Sequence, residues 1–203
     1  MSTAKWPALI LAGGAGRRFG SDGGGAKLTA DLGGAPVIRR VAERVAAGGF
    51  AEVVIVTGAA GAGVSTALAG LDCRIIAAPD WAEGMAASLR TGIAALAPDA
   101  PGVCIFLGDM PLVPATLCSA LAEAAQGSGY AARPRHDGRP GHPVAFTRAA
   151  FADLLALKGD EGAAALLKAR PEAVAYVEAA DNGVLLDIDT PDDLAAVTAA
   201  WNA

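Results

Sequence analysis

Short apolar runs rich in β-branched residues alternate along this chain with longer stretches whose apolar residues recur every three or four positions. Residues 7–11, 53–57, 74–77 and 103–107 have strand length and few polar interruptions, as expected of strands buried on both faces. Residues 37–47 place Ile38, Val41 and Val45 on one helical stripe, and residues 86–96 do the same with Leu89, Ile93 and Leu96. Residues 61–70 read as a weaker helix. Residues 114–125 read as another, with proline at its start, where the missing N–H costs nothing. The alternation predicts an α/β, Rossmann-like fold: a mostly parallel sheet with right-handed crossovers and helices on both faces. Ligands of such sheets sit at the carboxyl ends of the strands.

Beyond residue 127 the texture changes. Residues 130–133 and 143–146 read as strands around a polar Gly/Pro loop, 148–155 and 161–169 as helices, 173–177 and 184–188 as strands, and 191–201 as a closing helix. No linker or repeat splits the chain, so residues 1–203 are expected to form one domain of two halves, about 1–127 and 128–203. The net charge of −5 offers no general attraction for nucleic acid or an anionic membrane. A phosphate ligand would need local cations or backbone amides. The three cysteines show no C-x-x-C spacing, which argues against a disulfide framework or a zinc site. Cys104, inside an apolar run, is expected to be buried. The apolar run 8–12 is too short for a signal segment or a membrane span, and a cytoplasmic location is expected.

The stretch after the first strand, Leu11-Ala-Gly-Gly-Ala-Gly-Arg-Arg-Phe-Gly20 with Lys27 beyond, concentrates glycine and positive charge. Glycines let backbone N–H groups close on an anion. Three phosphate motifs compete. Gly14, Gly16 and Gly20 fit a dinucleotide-type spacing, but the second strand ends Thr57-Gly-Ala-Ala60, with no acid to hold a ribose. A P-loop fails at Ala26 and Leu28, on either side of Lys27. The third, roughly L-A-[AG]-G-x-[GSA]-x-R-[MF]-G…K, resembles the signature of sugar- and cofactor-nucleotidyltransferases. It matches nearly throughout, with an unusually long glycine-rich spacer, residues 21–26, before Lys27.

Two acid sites complement that loop. Asp109, in Phe106-Leu-Gly-Asp-Met-Pro111, follows a buried strand and is placed to face the cleft and hold Mg²⁺. In Leu186-Asp-Ile-Asp-Thr-Pro-Asp-Asp193, a strand would turn Asp187 and Asp189 to one face. Thr190-Pro191 would then open a helix, with Asp189 or Thr190 in position to cap it. Capping would account for Asp189 but not for Asp187.

Together these segments resemble the molybdenum cofactor nucleotidyltransferases, most closely the molybdopterin cytidylyltransferase branch. Trp81-Ala-Glu-Gly-Met-Ala-Ala-Ser-Leu-Arg-Thr-Gly92, Gly108-Asp-Met-Pro111, Gly141-His-Pro143 with Phe146, Gly159-Asp-Glu-Gly-Ala163 and the segment from Val184 to Leu194 occur in the family's order. The resemblance implies a nucleotide-diphospho-sugar transferase-like fold. It implies transfer of CMP from CTP to the phosphate of molybdopterin, or of the molybdenum cofactor, with release of pyrophosphate. A molybdenum hydroxylase would be the recipient. It further implies nucleotide binding by Leu11, Ala12, Gly13, Gly14, Ala15, Gly16, Arg18, Lys27, Gly84, Ser88 and Asp109, and catalysis by Lys27, Arg18 and Asp109. Asp109, Asp187 and Asp189 would hold Mg²⁺; His142 and Asp160 would meet the acceptor, Asp160 also reading as a helix N-cap. Two departures stand out. Position 164 is alanine where the family typically carries arginine, and the opening Leu-Ala-Gly-Gly is favoured by the guanylyl branch, which keeps GTP open as the nucleotide. The same segments would also serve transfer to a different phosphorylated small molecule. A non-catalytic molybdopterin-binding chaperone for a molybdenum hydroxylase would need them for binding alone.

Overall fold

In the computed structural model, residues 6–14, 19, 25–58 and 61–202 are described. The central strands are β1 (Ala8–Ala12), β4 (Val53–Thr57), β5 (Arg74–Ala77) and β6 (Gly102–Leu107). β1 runs parallel to β4 on one side and to β6 on the other, and β5 lies parallel outside β4. All five residues of β4 are buried, as the unbroken Val-Val-Ile-Val-Thr run requires.

The second half extends the same sheet. β9 (Val144–Thr147) pairs antiparallel with β6, β7 (Ala131–His136) antiparallel with β9, and β10 (Val174–Glu178) parallel with β7. The order is β10-β7-β9-β6-β1-β4-β5, with the short β8 (Arg139–Pro140) on β7. The sheet is therefore mostly parallel: along that path only β9 is reversed, and the short β8 beside the path also runs antiparallel to β7. A separate two-stranded hairpin joins β2 (Asp31–Leu32) to β3 (Ala35–Pro36).

Each sheet face is covered. α2 (Val37–Ala46) sends Ile38, Val41, Ala42 and Val45, and α5 (Leu117–Ser128) sends Cys118, Leu121 and Ala125, onto Ile10, Ile55 and Phe106. α4 (Met85–Ala94) sends Leu89 and Ile93 onto Leu9, Val54 and Ile105 on the other face, with Leu154 of α6 (Phe151–Ala156) and Leu167 of α7 (Ala164–Ala169). Cys104 is fully buried, as expected. A small third cluster, Leu32, Val37, Ile188 and Val197, ties the hairpin to α8 (Pro191–Trp201). Between β4 and β5 lies α3 (Gly61–Ala67).

Two local expectations are corrected. Residues 184–188 form no strand: a 3-10 turn, Asn182–Leu185, leads into chain without regular secondary structure at 186–189. Asp160 does not cap a helix, because α7 begins after Ala163. Lys27, which no element expected from the sequence covers, sits on a five-residue helix, α1 (Gly25–Thr29). Among the described residues no helix is long and apolar enough to cross a membrane.

Candidate active site

Strand order places the site. β1 has β4 on one side and β6 on the other, so the crossovers diverge at β1 and leave a crevice at its carboxyl end. Leu11 of β1 stands in register with Leu107 of β6, and the Gly108 amide donates to the Leu11 carbonyl at 2.9 Å. The segments leaving those two strands, Gly13-Gly14 and Gly108-Asp109, are consequently neighbours. Gly13 has no room for a side chain: a Cβ there would stand 2.6 Å from Ser88 Oγ. Its backbone thus remains the surface offered to a ligand, while the surroundings of Gly14 are open.

Lys27 reaches this crevice from α1, which is anchored by the buried Leu28. The ammonium is 2.6 Å from Asp109 Oδ2 and 3.1 Å from Asp189 Oδ1. Burial works to lower the Lys27 pKa, but the Asp109 and Asp189 carboxylates outweigh it and the net direction is up. Lys27 therefore stays charged.

The distant acids arrive by a backbone contact and a helix cap. The Ile188 amide donates to the Asp109 carbonyl at 3.1 Å, and Ile188 is fully buried. Thr190 caps α8 and forms a capping box with Asp193, whose Oδ2 accepts from the Asp189 and Thr190 amides. Hydrogen bonds from the Thr190 hydroxyl first, then from its amide and that of Asp189, hold the Asp193 carboxyl below its usual range. Capping thus falls to Thr190 and Asp193, and the Asp189 side chain is turned to Lys27. Asp187 lines the same cleft. Its carboxyl is pushed upward by burial and then by the negative charges of Asp109 and Asp189. An added cation would relieve that repulsion.

The cleft has a volume of about 640 Å³. Leu11, Ala12, Gly13, Gly14, Lys27, Asp109, Asp187 and Asp189 line one part of it, and Gly84, Ser88 and Asp160 another. The second part is held together by hydrogen bonds from α4 to the 157–160 loop: the Ala86 amide donates to the Gly159 carbonyl at 3.1 Å, and Arg90 donates to the Leu157 carbonyl at 2.8 Å. His142 is elsewhere. It lies in a neighbouring cavity of about 370 Å³ that, among the described residues, shares Leu107 and Asp187 with the cleft. The two expected acceptor residues are therefore separated, Asp160 standing on the glycine side. Ala15, Gly16 and Arg18, and most of the spacer before Lys27, lie outside the described residues.

Trp81 and Met85, 37% and 47% exposed, also line the cleft. Met85 was legible only through its place beside Gly84. Arg133, in the second cavity, carried no motif. Its one signal was a basic residue directly after the apolar run 130–132 that opens β7.

Asp109 Oδ1 is buried and has no hydrogen-bond partner among the described residues, so an oxygen ligand is left for a hard cation. No three His, Cys, Asp or Glu side chains form a metal cluster among the described residues. The donor set suits magnesium, which commonly takes one or two carboxylates and completes its shell with substrate phosphates and water.

Residues 8–178 match the MobA-like NTP transferase domain. The nicotine blue oxidoreductase of Paenarthrobacter nicotinovorans is 32% identical over 196 residues, covering 92% of this chain and 93% of that protein. A nucleotidyl transferase from Methanothermobacter thermautotroptrophicus superposes with a TM-score of 0.84 at 25% identity, covering 97% of each chain. Rv0371c from Mycobacterium tuberculosis H37Rv, in complex with manganese, superposes with a TM-score of 0.81 at 25% identity, covering 96% of this chain and 98% of the other. With the family match spanning both the Gly13-Gly14 segment after β1 and Asp109 after β6, the chain belongs to the MobA-like NTP transferase family.

Proposed function

We propose that the protein is a magnesium-dependent nucleotidyltransferase that moves CMP from CTP to the phosphate of molybdopterin or a molybdopterin-based cofactor. The observation that carries this reading is the convergence of Lys27, Asp109, Asp187 and Asp189 beside the Gly13-Gly14 backbone. A phosphate oxygen of the acceptor attacks the α-phosphorus in line, the bond from that phosphorus to the bridging oxygen breaks, and pyrophosphate leaves. The attacking phosphate is already ionised, so no strong general base is needed, and catalysis rests on positioning and charge. The Gly13-Gly14 backbone, with Gly16 and Arg18 beyond the described residues, takes the leaving phosphates. Lys27 neutralises charge at the α-phosphate. Asp109 with Asp187 or Asp189 holds the magnesium, which when bound supplies Lewis-acid stabilisation of the phosphate oxygens worth several kcal/mol. Trp81, Met85, Gly84 and Ser88 wall the base and ribose.

Pyrophosphate release measured with each of the four NTPs and molybdopterin tests the reading and its base. CTP is expected to be preferred. A GTP preference would reassign the base and leave the chemistry. Asp109→Asn should reduce release by about 10²-fold or more with the fold retained. If the variant still supports cofactor delivery to a molybdenum hydroxylase at the wild-type level, the protein is a molybdopterin-binding chaperone instead.

The name of the P. nicotinovorans relative favours a second reading, reduction of a small molecule with a nicotinamide cofactor. Against it, β4 leads into Thr57-Gly-Ala-Ala60, without a ribose-binding acid. A fluorescence titration with NADH and NADPH separates the two: saturable binding with no pyrophosphate release would sink the transferase.

A further inference from the structure

The second cavity carries positive charge that the nucleotide site does not use. Arg133 projects from β7 into it, and Nε and Nη2 both donate to the Gly141 carbonyl at 3.1 and 3.0 Å. A guanidinium has five N–H donors. These two bonds engage one side of the fork, and among the described residues the other side has no partner. Among the described residues no carboxylate lies within salt-bridge distance of Arg133, although Asp187 lines the same cavity. A partly buried cation without a counter-ion is costly.

Two neighbours sharpen the pattern. His142 Nδ1 is sealed from solvent and has no hydrogen-bond partner among the described residues. Its main chain is tied down, since the His142 amide donates to the Val184 carbonyl at 2.9 Å. Burial, then the Arg133 charge, lowers the His142 pKa, so the ring is neutral and presents one donor and one acceptor nitrogen. Arg139 stands at the exposed rim. Leu107 and Asp187 form the junction with the nucleotide cleft.

We propose that this cavity is an oxyanion subsite for a phosphate monoester, held by the free edge of Arg133, with the neutral His142 in its wall and Arg139 at its mouth. The assignment of that monoester as the nucleophile rests on the nucleotidyl-transfer reading; the binding site itself does not. The subsite opens at Asp187, so the bound phosphate is presented toward the acids and Lys27.

The test titrates phenyl phosphate into the full chain by calorimetry, with the nucleotide cleft filled by magnesium and a non-hydrolysable α,β-methylene CTP. The wild type should bind phenyl phosphate saturably. Arg133→Met should weaken it at least tenfold and Arg139→Gln a few-fold, while the nucleotide affinity of each variant stays within twofold. Leu185→Glu serves if Arg133→Met fails to fold. It sets a carboxylate in the cavity wall, leaves the Arg133 bonds to Gly141 intact, and should also abolish phenyl phosphate binding. Wild-type binding that neither substitution weakens, or no saturable binding to the wild type, overturns the subsite. If phenyl phosphate binding depends on Arg133 but the protein binds no nucleotide, the transferase reading falls and the subsite stands.

Discussion

Lys27 is shared between two carboxylates that come from opposite ends of the chain. Its removal does two separable things. Lys27→Met should lower nucleotidyl transfer by roughly 10²–10³-fold, the scale for losing one preorganised charge at a transition state. It should also leave Asp109 and Asp189 facing each other, at a cost of about 3 kcal/mol. Magnesium should then return part of that stability, so the melting temperature of Lys27→Met should rise more with magnesium than that of the wild type. An equal rise in both would mean that the ion and the ammonium do not share these acids. His142 offers a second prediction. Its folded pKa is pushed down to about 4 from 6.5, so the neutral ring belongs to the folded state. Above pH 6.5 neither state binds the proton. As the pH falls from 6.5 toward 4 the unfolded chain takes it up first, and stability is lost by at most about 3 kcal/mol, less where solvent screens the ring. Urea titrations across that window should show the loss, and His142→Asn should flatten it.

Short elements built on local rules bring these residues together. The segment 186–189 has the alternation of a strand and yet pairs with nothing in the sheet. Leu186 and Ile188 turn toward the small third cluster, while Asp187 and Asp189 turn to the cleft. The period of two was legible; the absence of a ladder was not, because it depends on whether a sheet edge is within reach. Gly84 is the matching element on the opposite wall. Its φ of +114° suits glycine, and a Cβ there would stand 2.5 Å from the Gly159 carbonyl oxygen. Gly84→Ala should cost about 2–4 kcal/mol through strain and clash, and should raise the KM for the nucleotide more than it lowers kcat. An unchanged melting temperature and KM would show that the contact between α4 and the 157–160 loop does not shape the cleft.

At the level of the molecule, the site exists because the two faces of one sheet are built by helices that diverge from β1. A ligand seated there bridges β1, β6, α1, α4 and the approach to α8, and should stabilise all of them together. At a hundred times its dissociation constant, CTP with magnesium should add about 2.7 kcal/mol, or roughly 5–10 °C in melting temperature for a chain of this size. Chelating the magnesium should remove most of the rise, and Asp109→Asn should show little of it. A full rise in the chelated protein would argue for a site that holds the nucleotide without the ion.

Period, breakers and composition were enough to place the strands of the first half, the stripes of α2 and α4, the glycine stretch and Asp109, because each follows from spacing along a few neighbouring residues. They could not supply strand order, the reversed strand β9, the helix that carries Lys27, or the cavity around Arg133 and His142. Those depend on contacts between residues far apart in the chain, such as the Ile188 amide on the Asp109 carbonyl and Lys27 between Asp109 and Asp189. Such contacts arise when packing closes the sheet, and no local pattern encodes them.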